Sequence, residues 1–176
     1  GVREQVAQQV ELRRRQVDRT VVEAAHAFFG LPRDTRIRIA VADARTWVAS
    51  AAARRESFDI VYCDAFNAFS VPAHLTTREF LLEVASILAP GGVYLVNCID
   101  IFDSGLFLNA FLNPARDVFP EVSVYEAPGT AAGSRSTFVV AAGTRPVGGE
   151  VLRGPDGSAV GRRIPESRLA GLRARN

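Results

Sequence analysis

The hydrophobic positions of this 176-residue chain change period along its length. Near the start, Val6, Val10, Val17, Val21, Ala24 and Phe28 recur at steps of four, seven, four, three and four, forming one helical stripe that runs to Phe29-Gly30-Leu31-Pro32. That spacing predicts a long helix with a break near Asp18. Residues 36–42 (RIRIAVA) alternate with period two and predict a strand, followed at 44–55 (ARTWVASAAARR) by an Ala-rich helix with Trp47, Val48 and Ala51 on one side. Residues 58–64 (FDIVYCD) read as a short apolar strand. Residues 76–88 (TTREFLLEVASIL) read as a helix opened by a Thr cap with Glu79 three residues on. Ala89-Pro90-Gly91-Gly92 stops it. Next come a strand at 92–99 (GVYLVNCI), a helix from about 105 to 118 strained or broken at Pro114, and strands at 121–127 and 136–142. Strands alternating with helices predict an α/β protein with a mostly parallel sheet of at least five strands, flanked by helices.

The pattern divides the chain into a helical segment at 1–32, an α/β domain at 33–145 and a Gly/Pro-rich arm at 146–176. The arm reads as loose chain or a hairpin. It ends in a short helix over 165–175 with Pro165 at its first position.

Composition narrows the class. With 48% hydrophobic and 23% charged residues, the chain carries enough apolar mass for a core, which excludes disorder throughout. No run approaches the roughly 18 to 20 apolar residues of a spanning helix, and GVREQVAQQVELRRR has no apolar signal region. The expectation is a cytoplasmic protein that engages no membrane. All 21 basic residues are Arg, with no Lys and no Met, which reads as a coding bias. They are spread among 19 acids, with neither a basic stripe nor a recognisable module, so a nucleic-acid partner is not expected. Cys63 and Cys98 lie in apolar runs and read as buried thiols. His26 and His74 are too few for a zinc site, and no metal is expected.

Taken together, VADARTW, FDIVYCDAF, VPAHLTTREFLLEVASILAPGG and VFPEVSVYEAP…SRSTFVVAA resemble the spermidine synthase family of aminopropyltransferases, most closely its spermidine-synthase-like branch in bacteria. The resemblance runs from about Val17 to Ala142. It implies a Rossmann-like, methyltransferase-like fold that binds S-adenosylmethionine or its decarboxylated form at the carboxyl ends of the strands. It also implies transfer of an aminopropyl group from the decarboxylated form to a small-molecule amine.

The resemblance assigns residues as well. Asp43, with Ala44, stands where the family has an acidic pair beside the adenine amine. A carboxylate there can accept from an exocyclic amine, and ligands of open α/β sheets bind at that end. The same Asp43 also reads as a helix cap. Asp64 falls at the catalytic acid, the base that would take the proton of the attacking amine. Pro72 and Leu75 match residues covering the adenine face, and Tyr62 stands beside the substrate. Two positions depart from the family. Asn67 replaces a second Asp and offers no charge to an ammonium group, and Gln16 stands where a ribose-binding Glu belongs. No Gly-x-Gly strand-turn stands upstream, so the sheet is expected to be incomplete on its N-terminal side. Three arrangements would close it: direct pairing of 36–42 with 58–64, a strand formed before Asp18, or a strand from a homodimer mate or another partner. Three functions stay open: a degenerate aminopropyltransferase, an S-adenosylmethionine-dependent methyltransferase-like enzyme, and a non-catalytic Rossmann-like assembly module.

Overall fold

The computed structural model describes residues 19–65, 71–129, 131 and 133–173. Gln16, Asn67 and the first half of the N-terminal helical stripe lie outside them. In chain order the elements are α1 (Arg19–Phe28), α2 (Ala44–Ala53), β1 (Phe58–Cys63), a 3₁₀ turn (Ala73–Leu75), α3 (Arg78–Ser86), β2 (Leu88–Ile101), α4 (Leu106–Val118), β3 (Glu121–Glu126), β4 (Arg135–Gly143), β5 (Val151–Arg153), β6 (Ala159–Arg163) and α5 (Glu166–Arg173).

The α/β architecture expected from the alternation is present, as one six-stranded sheet in the order β1-β2-β4-β3-β6-β5. Its pairing departs from the expectation. Only β1 and β2 are parallel neighbours, and the junctions β2–β4, β3–β4, β3–β6 and β5–β6 are antiparallel. Following the junctions, β1, β2, β3 and β5 point one way and β4 and β6 the other. The helical crossover α4 does deliver β3 parallel to β2, but β4 returns between them. Only residues 127–134 connect β3 to β4, too few for the dozen or more that a parallel crossover needs, so β4 must run back. The Gly/Pro-rich arm forms the β5–β6 hairpin and α5, and β6 adds to the sheet through Tyr125 opposite Arg163.

Residues 36–42 form no strand. Their apolar members Ile37, Ile39 and Val41 stay exposed, and among the described residues β1 is hydrogen-bonded to β2 alone. Period-two alternation qualifies a segment for a sheet but supplies no hydrogen-bonding neighbour, and without one the segment stays irregular. Direct pairing of 36–42 with β1 is therefore absent. Helix α1 likewise buries no residue.

The core lies between the sheet and a helical layer in which α3 stands between α2 and α4. Tyr94, Val96 and Cys98 of β2 are buried beside Val61 and Cys63 of β1, under Leu81, Val84, Leu108 and Phe111 of the helices. The alternate residues Leu95, Asn97 and Ile99 are only half-buried. Each large aliphatic or aromatic side chain fully withdrawn from water contributes about 1.5–3 kcal/mol. Helix α4 runs unbroken through Pro114, which removes one backbone donor without interrupting the helix. Its packing against α3, β2 and β3 holds it together. The cap of α3 is Thr77, one residue later than the expected Thr76: its Oγ1 accepts from Phe80 N at 3.3 Å.

Candidate functional site

Two elements bring Asp43 and Asp64 to one end of the sheet. Helix α2 runs from Ala44 to Ala53, and Arg54 to Ser57 turn the chain back into β1. Arg55 makes the reversal at φ 55°, and Glu56 N donates to Ala51 O at 3.0 Å. Ten helical residues span about 15 Å and six strand residues about 20 Å, so the start of α2 and the end of β1 return to the same level. This is the carboxyl end of β1 and β2, where open α/β sheets bind ligands.

Asp43 caps α2. Its Oδ1 accepts from Thr46 N at 3.0 Å and Thr46 Oγ1 at 3.2 Å. Its Oδ2 faces His74 Nε2 at 3.5 Å. The hydrogen bond from the Thr46 amide is the main cause holding its carboxyl below the usual range, and the nearby His74 works the same way. Ala44, next in sequence, is fully buried.

The 3₁₀ turn reaches the same place from the other side. Pro72 is buried and Leu75 wholly so. Arg45 of α2 donates from Nη1 to His74 O at 3.1 Å and to Thr77 Oγ1 at 3.4 Å, which ties this turn to the helix that Asp43 caps. Asp43 and Ala44 at the start of α2 thus lie beside the turn that carries Pro72 and Leu75.

Asp64 directly follows β1 and is exposed. The register that sets Cys63 opposite Val96 places Asp64 beside Asn97 of β2, and Asn97 Nδ2 donates to Asp64 Oδ1 at 2.8 Å. Asn97 is the residue that sequence reading missed. Its only signal was a polar residue inside the apolar run GVYLVNCI, and that signal gains meaning once the β1–β2 register is known. Asn97 Oδ1 is shut from solvent with no hydrogen-bond partner among the described residues. Tyr62 lies two residues before Asp64, on the same side of the strand. Burial pushes its phenol up, and the adjacent Asp64 charge adds to that.

A third carboxylate at this end, Asp100, is occupied otherwise. Its Oδ2 accepts from Leu108 N at 2.9 Å, closing the start of α4. Cys63 and Cys98 are free and buried, and burial raises both thiols, which makes them poor nucleophiles. Among the described residues no three His, Cys, Asp or Glu gather into a metal-ligating group. No helix there is long and apolar enough to cross a membrane. A separate cleft holding Glu150, Arg163 and Glu166 lies against β3, three places along the sheet from β1.

No family model matches the chain. A polyamine aminopropyltransferase of Vibrio vulnificus is 33% identical over 82 residues, covering 47% of this chain and 27% of that protein. A probable spermidine synthase of Corynebacterium glutamicum superposes with a TM-score of 0.69 at 23% identity, over 89% of this chain and 58% of that one. Human methyltransferase-like protein 13, solved in complex with SAH, superposes at 0.61 with 22% identity, over 89% of this chain and 64% of that one. The chain therefore spans little more than half of the Corynebacterium structure, and its matched region about a quarter of the Vibrio protein. The architecture is methyltransferase-like, and over 82 residues the chain is similar in sequence to a polyamine aminopropyltransferase.

Proposed function

We propose that the chain carries an aminopropyltransferase site, with Asp64 as the base. The observation that carries this reading is the Asp64–Asn97 pair at the carboxyl end of the parallel β1–β2 junction. The sulfonium co-substrate, decarboxylated S-adenosylmethionine, supplies an electrophilic methylene. The amine nitrogen forms the new bond to that carbon, the carbon–sulfur bond breaks with its electron pair going to sulfur, and methylthioadenosine leaves. The proton lost by the amine passes to Asp64. Asn97 donates to one carboxylate oxygen, which fixes the plane of the group and leaves Oδ2 to the amine. Asp43 accepts from the adenine amine, with Ala44, Pro72 and Leu75 forming the apolar wall beside it. Tyr62 stands on the acceptor side, and the family resemblance assigns Asn67 to the acceptor and Gln16 to the ribose. This assignment also makes the chain a transferase with a small-molecule amine as substrate and no metal requirement.

The test is methylthioadenosine release from decarboxylated S-adenosylmethionine with a panel of mono- and diamines. Asp64→Asn lowers turnover by roughly 10²-fold or more, the scale of a lost general base. Asn97→Leu lowers kcat and leaves the KM for the sulfonium substrate near its starting value. Putrescine is a poor acceptor, because Asn67 brings no charge to its far ammonium. Unchanged turnover in Asp64→Asn would remove Asp64 from the mechanism, and brisk spermidine formation would overturn the reading of Asn67. The likeness to human methyltransferase-like protein 13 supports a second reading, methyl transfer from S-adenosylmethionine. Its product is S-adenosylhomocysteine in place of methylthioadenosine, so the same assay separates the two. Failure to bind either nucleoside would leave the non-catalytic assembly module.

A further inference from the structure

The two oxygens of Asp43 are used unequally. Oδ1 already accepts two hydrogen bonds, from Thr46 N and Thr46 Oγ1. Among the described residues Oδ2 faces His74 Nε2 at 3.5 Å, and the Arg45 amide also donates to this carboxylate. A nucleobase amine approaching Asp43 must therefore use Oδ2, the position the imidazole holds. His74 is not there by chance of a free side chain. Its backbone carbonyl is held by Arg45 Nη1 at 3.1 Å, and the same guanidinium reaches Thr77 Oγ1 at 3.4 Å, so the ring is delivered to Asp43 by the latch between α2 and the 3₁₀ turn.

We infer that His74 competes with the nucleobase for Asp43 Oδ2 and sets the pH dependence of nucleoside binding. This rests on the assignment of Asp43 to the nucleobase. A protonated imidazole donates to Oδ2 with full charge and blocks it, and a neutral one gives way. The charged groups beside it are Asp43 at the start of α2 and Arg45 within α2, and Glu79 at the start of α3 lies near Arg45 and Arg78. The arginines keep their charge at all relevant pH values. Hydrogen bonds hold the Asp43 and Glu79 carboxyls below their usual range. The sign follows: nucleoside affinity rises with pH, and binding at the acid end releases a proton.

The experiment is calorimetry of methylthioadenosine with the full chain from pH 5.5 to 8, in buffers of different ionisation enthalpy. His74 and Asp43 are both about half exposed, so the expected gain in affinity is modest, about two- to fivefold across the range. His74→Gln keeps a neutral donor at the same place and should bind with a flat profile and no proton release. A flat wild-type profile, or the same slope in His74→Gln, would overturn the role of His74 while leaving the nucleoside site intact. Absence of binding by both proteins at every pH would remove the nucleoside assignment itself, and this inference with it.

Discussion

Asp43 caps α2, and its proposed role toward a nucleobase does not exclude that cap. One oxygen closes the start of α2 and the other is turned outward, so the cap can persist while a ligand is bound. Asp43→Ala should cost about 0.5–1 kcal/mol, the lower part of the range for helix caps, because the carboxylate is half exposed. The native carboxyl is held below its usual range. Its stabilisation is therefore present above the unfolded carboxyl range, near pH ~4, and fades as pH falls through the lower native value. Thermal unfolding of wild type and Asp43→Ala should accordingly differ at pH 6 and converge below about pH 3. A constant difference would mean that the carboxylate is not the source.

At the scale of elements, the Ala89-Pro90-Gly91-Gly92 stretch does more than end α3. It lies within β2 as a bulge: Phe58 pairs with Leu88, and two residues later Ile60 pairs with Val93. Gly91 sits at φ 79°, and a Cβ on Gly92 would come within 2.9 Å of both Ala89 O and Phe58 O. Those are backbone atoms, which cannot swing aside as a side-chain tip can. Gly92→Ala should lower stability by about 1 kcal/mol or more. It should also disturb the β1–β2 register that sets Asn97 beside Asp64, so the proposed transferase activity should fall further than stability alone explains. An alanine variant with unchanged melting temperature and turnover would contradict the bulge as a fixed feature. The proline-glycine signal was legible in the sequence. Its role as a register device was not, because a bulge exists only between two strands.

At the scale of the whole molecule, β1 is the edge strand among the described residues with Ile60 41% exposed, and Ile37, Ile39 and Val41 also face solvent. Bare edges with apolar residues invite pairing with other chains. Ile60→Lys places a charge on that edge. It should reduce self-association in concentration-dependent light scattering, with a change in melting temperature of no more than a few degrees. Equal scattering from the two proteins would show that this edge does not mediate association.

Local pattern determined the identity of most elements. The period of the apolar residues marked α2, α3, α4 and the strands β1 to β4, while Asp43 and the Thr-Thr pair announced their helices by capping chemistry. Asp64 was visible as an acid ending an apolar strand. Tertiary structure alone decided which strands became neighbours, because pairing depends on connection length and on available partners: β4 inserted antiparallel between β2 and β3, and residues 36–42, with the right alternation, pair with no strand among the described residues. It also decided the company each site residue keeps. Asn97 stands 33 positions from Asp64 and His74 stands 31 from Asp43, separations over which no periodicity speaks, and only the β1–β2 register and the latch of Arg45 on the 3₁₀ turn bring these side chains within reach of each other.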